Sequence, residues 1–163
     1  MVLPIKTDPD PVLRTKGVDV KFPLAPGIVK LVRDMFDTVQ RAQGIGLAAP
    51  QVGKSLRVIV VNLEHTGLEA FALINPEVKS FSKNKTKMEE GCLSIPGVFG
   101  IVERPEKIVF TGRTLSGQVI TAEASGLLSK VLQHEIDHTN GILITDKISK
   151  YTSGGKGAHE HMA

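Results

Sequence analysis

Residues 125–141 read SGLLSKVLQHEIDHTNG, and the periodicity within them sets the fold. Ser125 suits the opening of a helix, and Asn140-Gly141 suits its close. At about 100° per residue, Leu127, Val131, His134 and His138 fall in one narrow arc, which Leu128, Leu132 and Ile136 widen. Ser129, Lys130, Gln133 and Asp137 fall on the other side. A helix of this pattern buries its apolar arc against a core, and both histidines go in with it. Glu135 also falls inside the arc, between the directions of Val131 and Leu128, where an ionised carboxylate without a partner is costly.

His134 and His138 are four apart, so they project from one face at a separation that suits a shared metal. Either histidine alone is better read as a hydrogen-bonded core residue. The pair with a buried Glu directly after the first fits a different arrangement, in which the carboxylate takes a proton from an attacking water. Two histidines are only two ligands, and a catalytic site of this kind usually takes three from the protein. Downstream, the chain offers Asp146 and then His159, Glu160 and His161 in a loose terminal stretch. Cys92 is the stronger candidate, because a thiolate is the best soft ligand available and Gly91 and Pro96 frame it in EGCLSIPG, residues 90–97.

GIGLAAPQVG, residues 44–53, has the small residues that let backbone approach a ligand closely. It lacks the Lys-Ser or Lys-Thr ending of a phosphate loop and the GxGxxG spacing, which disfavours nucleotide binding. Gln51 is the side chain in it able to donate a hydrogen bond to a developing oxyanion.

Around these segments, Ile28, Leu31, Val32, Met35, Phe36 and Val39 recur at helical steps, with Gly44 as a stop. This helix is expected to pack one face on the core from outside. Leu56–Leu63, Phe71–Ile74, Val78–Phe81, Lys107–Thr111 and Gln118–Ala124 have strand character, the second closed by Asn75-Pro76 and the last two joined by a turn at 115–118. Five of the nine prolines fall in residues 1–27, which predicts an extended arm. The expectation is an α+β fold of short antiparallel strands around a central helix, with one domain over 1–150 and a polar tail over 151–163.

The 163 residues are 41% hydrophobic and 23% charged, the composition of a globular chain rather than a disordered or fibrous one. Aromatics make up 4%, without Trp, too few rings for a single-strand nucleic-acid binder. The net charge of +3 is no basic arm, so DNA is not an expected partner. The single cysteine excludes an internal disulfide and points to a reducing compartment. MVLPIKTDPDPVLR at the start lacks the apolar core of a signal peptide, and no apolar run approaches the length of a membrane span. A cytoplasmic protein is expected, or an organellar one if a presequence has been removed.

With GIGLAAPQVG, EGCLSIPG and QHEIDH in this order, the chain resembles the peptide deformylases, metal-dependent hydrolases that remove formyl groups from the amino ends of new bacterial and organellar proteins. Weaker resemblance runs from TDPDPVLR through DMFDTV and LINPEV to about Ile148. The resemblance implies that Cys92, His134 and His138 hold one divalent metal, with Glu135 as general base. The formyl oxygen would be held by the metal, the Gln51 amide and the backbone N–H of Leu93. The substrate implied is a formylmethionyl peptide or nascent chain, its methionine in an apolar pocket of Ile45, Met88, Leu127 and Val131. Gly46 and Gly91 would give backbone contacts, and Glu90 with Arg104 a supporting ion pair. The products would be formate and a free α-amino group.

A Cys-His-His set suggests zinc by ligand type, whereas the resemblance implies ferrous iron, with nickel a further possibility. Phe99 stands where some members carry Arg, which removes a charge from the substrate-binding rim, and Thr139 stands where Leu is common. The long basic C-terminal helix of some members has no counterpart, so any ribosome association is expected to be weak. Two other readings compete. One is an HExxH metallopeptidase that cleaves peptide bonds. The other is a silent protein with a structural metal, which needs a fourth ligand from His65, His159 or His161 and gives Glu135 no purpose.

Overall fold

The computed structural model describes residues 1–154. Two α-helices, α1 (Pro26–Arg41) and α2 (Gly126–Thr139), accompany eight strands. The strands are β1 (Gly46–Ala48), β2 (Val58–Val61), β3 (Phe71–Phe81), β4 (Lys85–Cys92), β5 (Ile95–Pro105), β6 (Lys107–Arg113), β7 (Val119–Ser125) and β8 (Ile148–Ser153). They form a five-stranded sheet in the order β1-β2-β3-β6-β7 and a three-stranded sheet in the order β4-β5-β8. Every strand pairing in both is antiparallel, so the fold class is α+β.

The β2 run VIVV is buried at all four positions because both faces of the large sheet are covered. Val58 and Val60 pack with Val32, Met35 and Val39 of α1, while Ile59 and Val61 pack with Val131, Leu132 and Ile136 of α2. α2 is covered on its polar side as well. Ser129, Lys130 and Gln133 are buried there, since Gln133 Nε2 donates to the Pro105 carbonyl and Lys130 Nζ to that of Thr86. Ser125 precedes α2, but its side chain makes no capping hydrogen bond. The Gly126 N–H donates instead to the Glu106 carbonyl.

The three-stranded sheet is where sequence expectation and structure differ most. β4 and β5 run through residues for which no strand is expected from the sequence, and Cys92, in the Gly- and Pro-framed EGCLSIPG segment, ends a strand. β8 carries the folded domain past the expected boundary at 150, pairing Tyr151 and Ser153 with Gly100 and Phe99 of β5. The rest of the expected tail, 155–163, lies outside the described residues. β3 runs through Asn75-Pro76 rather than stopping there, at the cost of a register shift between Ile74 and Glu77. Asn75, at φ +53, makes the irregularity tolerable by bonding both backbone groups of Val20 through its amide.

The proline-rich arm lies across the motif loops. Lys6 N–H donates to the Gln51 carbonyl and Asp8 N–H to that of Ser94, which links GIGLAAPQVG to EGCLSIPG from outside. Within the arm, the one helical turn, Pro11–Arg14, buries Leu13 completely. No helix among the described residues is long and apolar enough to cross a membrane.

Candidate metal centre and peptide pocket

The end of β4 brings Cys92 against His134 and His138, which lie one turn apart in the C-terminal half of α2. Cys92 Sγ lies 3.3 Å from His138 Nε2, which lies 3.2 Å from His134 Nε2. All three atoms fall within 4.8 Å of one another. The donor set, one sulfur and two imidazole nitrogens aimed at one point, fits a divalent transition metal. His65 stands on an exposed 3-10 turn and Asp146 is engaged by Arg14; neither belongs to this cluster, and His159 and His161 lie outside the described residues.

His134 is oriented from behind. Its Nδ1 sits 3.0 Å from Glu90 Oε1, so an N–H donated there leaves Nε2 with its lone pair free. Glu90 is itself gripped by Arg104 at 2.6 and 3.0 Å. The 2% exposed guanidinium also reaches Asp137 at 2.9 Å, and Lys147 closes the chain on Asp137 at 3.0 Å. Burial pushes the Glu90 carboxyl up, but the hydrogen bonds and charges of His134 and Arg104 prevail and hold it down at about 2. Desolvation, with the charges of His134 and Arg104 added, pushes His138 well below the usual histidine range.

Glu135 is 4% exposed, and its Oε1 has no hydrogen-bond partner among the described residues. Burial raises its carboxyl to about 7, against the opposing charge of His134. Its space comes from Gly46, where a Cβ would stand 2.6 Å from Glu135 Oε2. Gln51 is equally buried. Its Oε1 accepts from the Ala48 N–H at 2.9 Å, which turns Nε2 toward Ser94 Oγ at 3.1 Å and Cys92 Sγ at 3.7 Å. The amide therefore presents its donor end to the Cys92 side of the three-residue cluster.

Beside this cluster opens a cavity of about 440 Å³. Ile45, Gly46, Met88, Glu90, Gly91, Phe99, Leu127 and Val131 line it, together with Gln51, Cys92, Leu93, His134 and Glu135. His138, 1% exposed, lies behind the wall. The Phe99 ring lies flush against Gly91, where any Cβ would collide with it. Sequence reasoning missed Lys130, Ser94 and Pro96. Ser94 and Pro96 stand inside the EGCLSIPG segment, whereas Lys130 falls on the polar side of α2, where its place one helical turn before His134 is the signal that could have found it.

The model of the polypeptide deformylase family matches residues 2–153. The peptide deformylase of Chlorobaculum parvum is 46% identical over 154 residues, covering 92% of this chain and 81% of that one. Among solved structures, a class I type b peptide deformylase from Acinetobacter baumannii is 34% identical, covers 91% of this chain and 99% of its own, and superposes with a TM-score of 0.88. The same enzyme with Met-Ala-Ser bound superposes at 0.85 over equal coverage. A match this long shows that the chain belongs to the polypeptide deformylase family.

Proposed function

We propose that this chain hydrolyses the N-formyl group of formylmethionyl peptides and nascent chains through the site around Glu135. The observation that carries the reading is a buried carboxylate beside a Cys-His-His cluster at the wall of a peptide-sized cavity. Cys92, His134 and His138 are the residues that would hold the cation. Bound there, a divalent metal supplies Lewis acidity, which makes water a nucleophile near neutral pH and polarises the formyl carbonyl. Ferrous iron is the ion the family resemblance favours, with zinc and nickel as alternatives.

The rest of the chemistry falls to the chain's own groups. Glu135 removes a proton from the attacking water and delivers it to the leaving nitrogen as the formamide C–N bond breaks, giving formate and a free amine. Its high carboxyl pKa suits both halves of that task. The Gln51 Nε2 and the Leu93 N–H donate to the oxygen that gains charge. Ile45, Met88, Leu127 and Val131 take the methionine side chain, and Gly46 and Gly91 leave room for the peptide backbone. That the Acinetobacter relative was solved with Met-Ala-Ser bound supports a product of this kind.

The decisive test is anaerobic formate release from formyl-Met-Ala-Ser, with protein loaded with ferrous iron, nickel or zinc and chelated protein as blank. Metal-dependent formate with an intact tripeptide is expected. Cleavage of the Met-Ala bond instead would favour a peptidase, and stoichiometric metal without formate would reject the reading.

A further inference from the structure

Ser94 is fully buried and does not line the cavity, so it touches no peptide bound there. Its hydroxyl nevertheless meets Gln51, whose Nε2 stands 3.1 Å from Ser94 Oγ. The orientation of the Gln51 amide is set by the Ala48 N–H, which can only donate and so requires Oε1 opposite it. Nε2 carries two hydrogens, which diverge in the amide plane. With one given to Ser94 Oγ, the other is left to the Cys92 side, where Sγ stands 3.7 Å away. Ser94 also directly follows Leu93, whose N–H is the other donor to the oxygen that gains charge. One hydroxyl therefore ties the Gln51 amide to the stretch of chain that carries its counterpart. The N-terminal arm holds the backbone carbonyls of Gln51 and Ser94 from outside, which leaves the direction of the amide to the side chains.

We infer that Ser94 is a positioning residue for deformylation: by accepting one Nε2 hydrogen of Gln51, its hydroxyl aims the other at the oxygen that gains charge. The inference rests on the deformylase reading. Without the hydroxyl, the amide is held at Oε1 alone and can swing about that bond, so its donor no longer has a fixed direction. A donor of this kind acts on the charge that develops in the transition state more than on the ground-state carbonyl. A misdirected Nε2–H therefore lowers kcat and leaves KM nearly unchanged. A serine that only filled space would act differently. Its loss would be felt through folding, or through the hold on Cys92 two residues before it, and metal content would fall with activity.

The test measures kcat, KM and metal content for the parent, Ser94→Ala, Gln51→Leu and the double variant. All are loaded with the same metal without oxygen and assayed with formyl-Met-Ala-Ser. Ser94→Ala should lower kcat about tenfold, short of the roughly 10²–10³-fold that follows loss of the donor itself in Gln51→Leu. Its KM should stay within about twofold, with metal content unchanged. In the Gln51→Leu background, Ser94→Ala should cost less than about twofold more, because no amide remains to be aimed. Gln51→Ala replaces Gln51→Leu if that variant does not fold. An unchanged kcat in Ser94→Ala, or the same loss in both backgrounds, would overturn the inference. Loss of metal from Ser94→Ala, or its failure to fold, would overturn it too, since either shows a structural role. These outcomes remove only the role of Ser94, whereas no formate from the parent removes the deformylase reading as well.

Discussion

Glu135 and Cys92 sit within one cluster, yet their loss should have different consequences. Glu135→Gln keeps the size and burial of the side chain and removes the base, so turnover should fall by about 10²–10⁴-fold while the metal stays bound. Cys92→Ala removes a ligand, so metal and activity should go together; metal analysis beside the formate assay separates the two. Glu135 also makes stability depend on pH once the metal is stripped by a chelator. Its carboxyl titrates at about 7 in the folded chain against an ordinary 4.5, so the folded state binds the extra proton between these values. That contribution is fully present below about 4.5 and is lost as pH rises through about 7, a change of about 3 kcal/mol. Chelated Glu135→Gln should lack it. The difference in urea midpoint between variant and parent should therefore grow from pH 4.5 to pH 8, and a constant difference would contradict the raised carboxyl.

At the level of elements, the contact between α2 and the β4-β5 hairpin depends on Arg104. Among the described residues it is the cation that bridges Glu90 on β4 and Asp137 on α2, so Arg104→Met takes a charged partner from both and leaves Glu90 with His134 alone and Asp137 with Lys147 alone. A loss of about 3–5 kcal/mol is expected in denaturant unfolding, with metal affinity lowered about 10–100-fold because His134 loses its fixed partner. Chelator competition reads the second effect. The strands of this hairpin were hidden in the sequence for a physical reason. In β4, Lys85, Lys87 and Glu89 face solvent while Thr86, Met88 and Glu90 are half-buried, so Met88 is the one apolar residue of these inward three and gives no apolar alternation. In β5, Pro96, Gly97 and Gly100 imitate turn chemistry, although Gly100 is there because the Ile148 side chain fills the space of its Cβ. β2 and α2, by contrast, were legible because β2 is an unbroken apolar run and α2 carries its apolar residues at helical steps.

Across the whole molecule, the N-terminal arm joins regions that no single element connects. Removing residues 1–8 takes away the bonds from Lys6 to the Gln51 carbonyl and from Asp8 to the Ser94 carbonyl, and with them the Leu3 contact at the edge of the α1 layer, while the buried members of both core layers on the large sheet remain. Folding and metal binding should survive, and kcat should fall by about tenfold as Gln51 and the turn after Cys92 lose their alignment. An unchanged kcat would show that the two loops hold themselves.

The sequence by itself determined the helix that carries His134, Glu135 and His138, the choice of Cys92, His134 and His138 as candidate donors, and the strand buried on both faces, because each leaves a period or a rare residue combination in the local chain. Only the tertiary structure decided that α2 is buried on its polar side too, that the cysteine ends a strand, and that β8 extends the domain. It also decided that Lys130 borders the cavity. These depend on backbone carbonyls such as those of Pro105 and Thr86 arriving from far along the chain, and a carbonyl has no signature in the identity of the residue that carries it.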